Sequence, residues 1–538
     1  MVFALGASAF AADTTPVTTK AVDTTLSVTV DYTIEGLYFD GTTLKSSATN
    51  GYYPFNFSFI VSDRTAVGSI TVSNGGSFAW ASDSEDSETE STTTTYGLVT
   101  LPTTSASTVT VTSKSGGTLT ISCAQPNGGT TAAGTALYAY LPAPAQFVNE
   151  GVTTGGWGDA YDSNGAVKAT GSTGVSLGFF GGYAVYEFEN PIADDPTHPY
   201  GADFIVYGNA FWNNSEAGCI QVSKDGTTWY DIAGSMYYTK STKGATITYT
   251  NPNPSEDKGI TAAASNKGTL ADVPYALTVN GTTTSGTVTK NTFHNHSWFP
   301  LNANYFVDSG TRKEMAKVDE FSFVSRTLNS DNITSTLTFK GTLLTDYPGT
   351  GKTDQIGFGY CDVHPNRTLG STIAYNPYQT FTSSSDYNTK TEGTGGGDPI
   401  DIAWAVDSKG APANLSSVKY VRIYTGMAQM NGIFGEISTE VCGVAACTGS
   451  TTETAATPTI TVGTSTVTTT NGGIKSVGML SGTCTVNVSG TGYVYINGVA
   501  TTSATFTPTS AGTKVQIIVQ NGEAAPYVTW LNLKTGRA

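Results

Sequence analysis

The stretch IQVSKDGTTWYDIAGS, Ile220–Ser235, predicts a β-hairpin. Ile220 and Val222 alternate with polar residues, as they would on a strand that buries one face. The KDG triplet at 224–226 supplies the reversal, because glycine readily adopts the positive φ of a tight turn. Trp229 then opens the returning strand. Hairpins of this kind are the units of antiparallel sheets, so the stretch favours an all-β fold.

The composition of the whole chain agrees with this hairpin. Of 538 residues only 13% are charged, whereas glycine occurs 61 times and tyrosine 28 times. A chain of this length is too long for one core, so several domains are expected. The formal net charge of -16 repels phosphate backbones, which argues against nucleic acid as a partner. The same charge suits an extracellular protein or cation binding, and plain solubility is the simpler interpretation.

The chain begins with MVFALGASAFAADTT, an apolar run that ends in small residues. This pattern is typical of the end of a secretory signal peptide, so residues 1–12 are expected to be a signal-peptide remnant. The protein is therefore expected to be secreted, and to be extracellular or associated with the cell surface. No later run reaches the ~18–20 apolar residues that span a bilayer, so no transmembrane segment is expected.

Short alternating strands continue along the chain and predict three β-sandwich domains. Strands spaced by about 8–12 residues are typical of an immunoglobulin-like sandwich, which is expected for the last domain. The acidic, Ser/Thr-rich run Ser82–Thr95 is expected to be a solvated loop of the first domain. The expected organisation is a Thr-rich leader at 13–23, an N-terminal sandwich at 24–125, a linker at 126–134, a middle domain at 135–448, a linker at 449–458 and a final sandwich at 459–538.

The hairpin also carries a resemblance to a known family. VSKDGTTWYDIAG resembles the S-x-DG-x-x-W hairpin of discoidin-like (coagulation factor type C, galactose-binding-like) jelly rolls. In that family a late strand similar to RYVRI is followed by a closing strand that contains a glutamate. This chain has VKYVRIYTGMAQMNGIFGEISTEVCG at Val418–Gly443, in the same order. The resemblance implies that residues 135–448 form an enlarged galactose-binding-like jelly roll.

The wider middle region is similar to uncharacterised secreted or cell-surface proteins of gut-type bacteria. The matching segments are GFFGGYAVYEFENPI, DDPTHPYGADFIVYGNAF, VSKDGTTWY, WFPLNANYF and DIAWAVDSKG. This similarity implies surface display and ligand capture, and it brings no general activity with it.

A segment rich in glycine and asparagine, just before the hairpin, is the candidate ligand site. YGNAFWNNSEAG, at residues 207–218, places two aromatic rings beside two amides and a carboxylate. A flat ring stacks on the C–H face of a sugar while polar groups bind its hydroxyls, which suits a glycan or glycoconjugate. The alternative is that the tryptophans plug the ends of a sandwich. The candidate residues are Phe211, Trp212, Asn213, Asn214 and Glu216, with Trp157 and Trp298 in two other loops.

Calcium is the one cofactor that the sequence suggests, because carboxylate and amide oxygens are its preferred ligands. Asp159, Asp162 and Asn164 lie in a short loop that ends in glycine, and Asp398 and Asp401 lie in GGGDPIDIAWAVD. Neither loop has the spacing of an EF-hand. The alternative is that these residues cap turns without a metal, as Asp and Asn commonly do.

Recognisable catalytic motifs are missing from the sequence, which has neither Gly-x-Ser-x-Gly nor His-Glu-x-x-His. A glycoside hydrolase needs only two carboxylates about 5–10 Å apart. The available glutamates are Glu187, Glu189, Glu216, Glu436 and Glu440. Glu187 is expected to face inward and to pair with Arg422, because a buried carboxylate needs a partner.

The expected function is therefore non-catalytic recognition of an extracellular glycan or glycoconjugate at the bacterial cell surface. A structural or adhesion protein that binds host or bacterial surface proteins is the first alternative. A glycoside hydrolase and a small-molecule capture protein are the others.

Overall fold

Strands make up nearly all the regular structure of the chain, which confirms the predicted all-β class. The computed structural model describes residues 17–31, 37–40, 43–46, 56–74, 76–80, 95–100, 107–123, 135–149, 158, 174–210, 215–254, 271–291, 294, 296–305, 320–345, 356–364, 373–381, 383–391, 396–432 and 435–537. The expected signal remnant 1–12, the start of the leader at 13–16, the linker 126–134 and residues 82–94 of the acidic run lie outside the described residues.

The chain divides into two units, Met1–Thr131 and Ala132–Ala538. In the first unit the strands form two five-stranded sheets, ordered β1-β2-β5-β8-β7 and β3-β4-β10-β9-β6. These strands are β1 (Val17–Ala21), β2 (Ser27–Asp31), β3 (Leu37–Asp40), β4 (Thr43–Ser46), β5 (Asn56–Val61), β6 (Val67–Val72), β7 (Ser77–Trp80), β8 (Thr95–Thr100), β9 (Ser107–Ser113) and β10 (Thr118–Cys123), with a 3₁₀ turn at Arg64–Ala66.

The core of the first unit follows from strand alternation. On β9, Val109 and Val111 are fully buried while their neighbours are partly exposed, as the period of two requires. Leu26 and Val28, which alternate with Ser27 and Thr29, are also buried in this core.

The second unit begins with a large set of strands that spans residues 135–446. They are β11 (Thr135–Leu141), β12 (Val175–Ser176), β13 (Tyr183–Ala193), β14 (Phe204–Tyr207), β15 (Gly218–Ser223), β16 (Tyr230–Ile232), β17 (Ser241–Thr250), β18 (Val273–Val279), β19 (Thr282–Val288), β20 (Val324–Leu328), β21 (Thr334–Leu344), β22 (Asp398–Ile400), β23 (Ala405–Val406), β24 (Ser417–Thr425), β25 (Glu440–Val441) and β26 (Gly443–Ala446). The helices are α1 (Asn302–Tyr305) and α2 (Ser384–Thr391), with 3₁₀ turns at Pro199–Gly201 and Ile402–Trp404.

Two of the resulting sheets pack face to face. A six-stranded sheet has the order β11-β13-β24-β15-β16-β23, and a five-stranded sheet has the order β19-β18-β17-β21-β20. The Tyr424 ring of the first sheet lies over Gly341 of the second, where a Cβ would come within 2.5 Å of the ring. Glycine at 341 therefore lets the two sheets approach closely. The same region also forms a three-stranded sheet, ordered β22-β14-β26, and a two-stranded sheet, β12-β25.

The predicted hairpin is present as β15 and β16, paired through Gln221↔Asp231 and Val222↔Tyr230. Asp225 holds the turn by accepting hydrogen bonds from the backbone N–H groups of Thr227 at 2.8 Å and Thr228 at 2.7 Å. Gly226 has φ +75°, as the sequence predicts for the reversal.

The expected pairing of Glu187 with Arg422 is wrong. In the register of β13 and β24, Arg422 lies opposite Val185, and Glu187 lies opposite Tyr420. The Glu187 carboxylate instead binds the Lys419 ammonium at 2.8 Å. Alternation along a strand shows which side a residue faces, but it does not fix the register between strands.

Arg422 is fully buried between the two facing sheets. Its guanidinium lies 3.6 Å from the Phe323 ring centroid and 4.1 Å from that of Tyr424, and it donates to Gln221 Oε1 at 2.7 Å. Gln221 in turn donates to Asp231 at 2.7 Å. The buried cation is thus held by ring stacking and a hydrogen-bonded amide.

The last strands form two further sheets, ordered β28-β27-β30-β33 and β29-β35-β34-β31-β32. They are β27 (Thr459–Val462), β28 (Ser465–Val467), β29 (Ile474–Val477), β30 (Cys484–Ser489), β31 (Tyr493–Ile496), β32 (Val499–Ala500), β33 (Ser503–Phe506), β34 (Thr513–Gln520) and β35 (Tyr527–Leu533).

These sheets pack directly against the preceding region. The Tyr495 hydroxyl donates to Tyr378 O at 2.8 Å, and the Trp530 indole N–H donates to the Tyr238 hydroxyl at 2.9 Å. Within the expected linker 449–458, Thr451 N–H donates to Thr197 O at 2.7 Å. Four residues of the C-terminal sheets therefore join the hydrophobic core of the region before them, while the rest of these sheets form a core of their own.

Within the described ranges, every helix is too short or too polar to span a bilayer.

Candidate functional site

Three carboxylates from distant parts of the chain meet beside the start of β15. One oxygen from each of Glu216, Asp362 and Glu440 lies within 4.8 Å of the others. Backbone pairing brings them together: Gly218 and Cys361 exchange two N–H···O bonds of 2.9 Å, and Glu216 N–H donates to Asp362 O at 3.1 Å. We call these three residues the first carboxylate cluster.

Backbone and hydroxyl donors fix the orientation of the cluster. Asp362 accepts from Asn209 N–H at 2.7 Å and from Glu440 N–H at 3.0 Å. Glu440 accepts from the Ser176 hydroxyl at 3.2 Å. The Thr439 hydroxyl donates to Glu216 O at 2.7 Å, which ties the segment before β15 to the one before β25.

Asp362 itself has an unusual backbone. Its φ is +62°, in the left-handed region, which few residues other than glycine adopt but where Asp, Asn and His are enriched. Gly208 allows the close approach, because a Cβ there would lie 2.5 Å from Asp362 Oδ1. The absence of a side chain at Gly208 therefore leaves room for the Asp362 carboxylate.

Burial makes ionisation of the cluster unfavourable. Asp362 is fully buried and Glu440 is 5% exposed, and burial together with the neighbouring acids raises the pKa of both well above the usual range. Glu216 is partly exposed, and loss of hydration raises its pKa to about 7.

A fourth acid lies next to the cluster. Glu436 is 3% exposed, and burial and the charge of Glu216 raise its pKa to about 8. Its Oε1 accepts from Gln146 N–H at 3.2 Å, while its Oε2 has no hydrogen-bond partner among the described residues. A buried carboxylate oxygen without a donor is unfavourable unless a proton or a cation satisfies it.

His364, two residues after Asp362 in the sequence, is already engaged. His364 Nδ1 lies 2.8 Å from Asp398 Oδ1, and the ring is enclosed by Tyr375, Phe381 and Tyr387. The ion pairs found among the described residues include no lysine or arginine that binds the first cluster. The charge of these acids is therefore not balanced by any base that the structure describes.

A second carboxylate cluster consists of Asp194, Asp203 and Asp401, whose oxygens also lie within 4.8 Å of one another. It differs from the first in having a base beside it, since His198 Nδ1 lies 3.5 Å from Asp203 Oδ1. Both Asp203 oxygens accept backbone N–H groups, from Asp195 at 2.9 Å and from Ile402 at 2.8 Å. The second cluster is thus largely satisfied by the protein.

The two described residues that were expected to bind calcium, Asp398 and Asp401, take part in different groups. Asp401 belongs to the second cluster, where its Oδ1 accepts from Ala403 N–H at 2.7 Å, as an Asx cap does. Asp398 binds His364 and also accepts from Val363 N–H at 3.1 Å. The other three expected ligands, Asp159, Asp162 and Asn164, lie outside the described residues.

Most of the expected sugar-binding residues also lie outside the described residues, namely Phe211, Trp212, Asn213, Asn214 and Trp157. Glu216 is described and belongs to the first cluster. Trp298 is fully buried and donates its indole N–H to His294 O at 3.3 Å, so its ring is enclosed by the protein.

Two of the five glutamates identified in the sequence, Glu216 and Glu440, meet here with Asp362, which did not stand out from the sequence. The sequence signal for Asp362 was weak: an acid within CDVH, between residues that the fold buries.

A scan against protein-family models gives no match for this chain, and a search among curated proteins gives none either.

Proposed function

We propose that this chain is a secreted bacterial surface protein that binds an extracellular glycan or glycoconjugate without catalysis. The observation that carries the proposal is how residues 211–214 are attached. On one side Asn209 N–H donates to the Asp362 carboxylate at 2.7 Å, and on the other Glu216 N–H donates to Asp362 O at 3.1 Å. The Ser215 hydroxyl adds a bond of 3.4 Å to Val363 O.

This attachment suits ligand binding. Described residues on either side of the FWNN segment therefore bond to Asp362 or to its neighbour Val363. Ordered flanking residues reduce the conformational freedom that a binding segment loses, which favours affinity. Such side chains match the C–H faces and hydroxyls of a sugar.

The proposal includes the finer architecture. Residues 135–448 would be an enlarged galactose-binding-like jelly roll of the discoidin-like type, as in the gut-type bacterial surface proteins that the sequence resembles. The facing six- and five-stranded sheets support this interpretation. Residues 24–125 and 459–538 would be flanking sandwiches, the latter immunoglobulin-like.

The burial of the acids supports binding rather than hydrolysis. A glycosidase places two carboxylates on either side of an accessible bond, about 5–10 Å apart. Here Asp362 and Glu440 are buried, and oxygens of the first cluster lie within 4.8 Å of one another, which leaves no room for a sugar between them.

A glycan array probed with the full chain in CaCl₂ tests the proposal. We expect a defined set of related glycans to bind, and Trp212→Ala to abolish that binding while the melting temperature stays unchanged. Tyr493→Ala is the matched control, because it removes an aromatic ring that is 38% exposed on β31. Silence across a broad array, with the protein folded, would instead favour a structural role or a protein partner.

A further inference from the structure

We propose that His364 binds a hydroxyl group of a neutral glycan through its Nε2 atom. This inference rests on the proposed function, and it adds both a contact residue and a class of sugar. His364 is buried and pairs with Asp398, as a histidine that serves only the fold also could. The second nitrogen of its ring is what indicates a further role.

Asp398 fixes the protonation of the imidazole. His364 Nδ1 lies 2.8 Å from Asp398 Oδ1, while Asp398 Oδ2 accepts from Val363 N–H at 3.1 Å. A carboxylate has no proton to donate, so in the neutral imidazole the proton is on Nδ1. Nε2 then carries a lone pair and accepts hydrogen bonds. Carboxylates orient histidines that act on ligands in the same way.

Three aromatic rings hold the imidazole in this orientation. Their centroids lie within 5.6 Å of the imidazole centroid, and the rings belong to Tyr375, Phe381 and Tyr387. The Tyr375 hydroxyl donates to Gly397 O at 2.8 Å. The Tyr387 hydroxyl donates to Val363 O, also at 2.8 Å. A side chain that is locked by packing and hydrogen bonds loses little conformational entropy when a ligand binds to it.

Nε2 is the atom of this imidazole that remains for a ligand. The His364 side chain is 7% exposed, and Nε2 reaches that exposed surface without a hydrogen-bond partner among the described residues. The polar atoms of buried side chains are normally satisfied within the protein. Here the aromatic enclosure ends at the one nitrogen that can accept a hydrogen bond from a hydroxyl group.

The position of His364 connects it with the proposed ligand site. The residue before it, Val363, accepts the Ser215 hydroxyl at 3.4 Å through its carbonyl, and Asp362 accepts Asn209 N–H at 2.7 Å. Ser215 and Asn209 are described residues that flank positions 211–214. A sugar offers several hydroxyl donors, so a fixed acceptor at this place suits a glycan.

The acceptor also selects the class of sugar. A lone pair on Nε2, with the Asp398 carboxylate behind the ring, attracts a hydroxyl proton. The same arrangement repels the carboxylate or sulfate group of an acidic sugar. We therefore expect neutral glycans to bind in preference to acidic ones.

The test compares two substitutions of His364 in the full chain. Asparagine places an amide N–H near the position of Nδ1 and can still donate to Asp398, but it has no group at the position of Nε2. Glutamine reaches the position of Nε2. In calorimetry with the strongest neutral hit of the glycan array, His364→Asn should bind at least about tenfold more weakly, and His364→Gln within about threefold of the wild type. His198→Asn, which alters the histidine beside Asp203, is the matched control and should bind as the wild type does.

Diethyl pyrocarbonate tests the open nitrogen without a glycan. This reagent modifies accessible, unprotonated imidazole nitrogens, and peptide mass spectrometry identifies the modified histidine. We expect it to modify His364 in the folded wild type, and we expect the strongest neutral hit to protect His364. This measurement decides the question even where a His364 variant fails to fold.

Three results would overturn the role of His364: no modification in the folded chain, equal glycan binding by His364→Asn and the wild type, or an array that responds only to acidic glycans. In each case a glycan that still binds leaves the proposed function standing. A silent array rejects the proposed function and the role of His364 together.

Discussion

Glu436→Gln should stabilise the protein at alkaline pH when no metal is present. Glutamine keeps the size of the side chain and can still accept the Gln146 N–H bond at the position of Oε1. The substitution also removes the negative charge of the carboxylate, which is unfavourable in a buried position. Because the folded-state pKa of Glu436 is about 8, against 4.5 for the free side chain, folding favours its protonated form. That stabilisation is complete below about pH 4.5 and is lost as pH rises to about 8.

The magnitude follows from that difference in proton affinity. At ~1.4 kcal/mol per pH unit, the wild type should lose about 4 kcal/mol relative to the variant between pH 5 and pH 8.5. Urea unfolding in EDTA, followed by tryptophan fluorescence, measures it, since Trp404 and Trp530 are fully buried in the second unit. The variant should gain stability over the wild type steadily across this range.

Glu187→Gln is the control for that series, because this glutamate is 29% exposed and bound to Lys419. Its difference from the wild type should stay below about 1 kcal/mol, as for other exposed ion pairs. Parallel pH curves for Glu436→Gln and the wild type would refute the reasoning, since they would mean that Glu436 ionises as easily in the folded state as in the unfolded chain.

Two further predictions concern the packing of the second unit. Arg422→Lys should cost about 2–3 kcal/mol in urea unfolding, because an ammonium cannot reproduce the planar stacking 3.6 Å from Phe323. Gly498→Ala should lower the melting temperature, since φ is +77° and the added Cβ would lie 1.8 Å from Ser235 O.

Local features of this fold could be predicted from sequence because their causes are local. The turn of the 220–235 hairpin depends on Asp225 and Gly226, and both act on residues within three positions of themselves. Strand alternation in the first unit is equally local, since Leu26 and Val28 are two positions apart and both are buried.

The register between two paired strands cannot be predicted from the alternation of apolar and polar residues along each strand. Glu187 and Arg422 were expected to meet, yet β13 and β24 align Glu187 with Tyr420. The same sequence pattern fits either register. The sheet contacts decide between them: Arg422 packs against Phe323 of the facing sheet, and Lys419 is left to bind Glu187.

The first carboxylate cluster was beyond sequence reasoning for a similar reason. Asp362 is 153 residues from its donor Asn209 and 78 residues from its donor Glu440. No motif covers such separations. Only the pairing of Gly218 with Cys361, seen in the folded chain, brings the segments together.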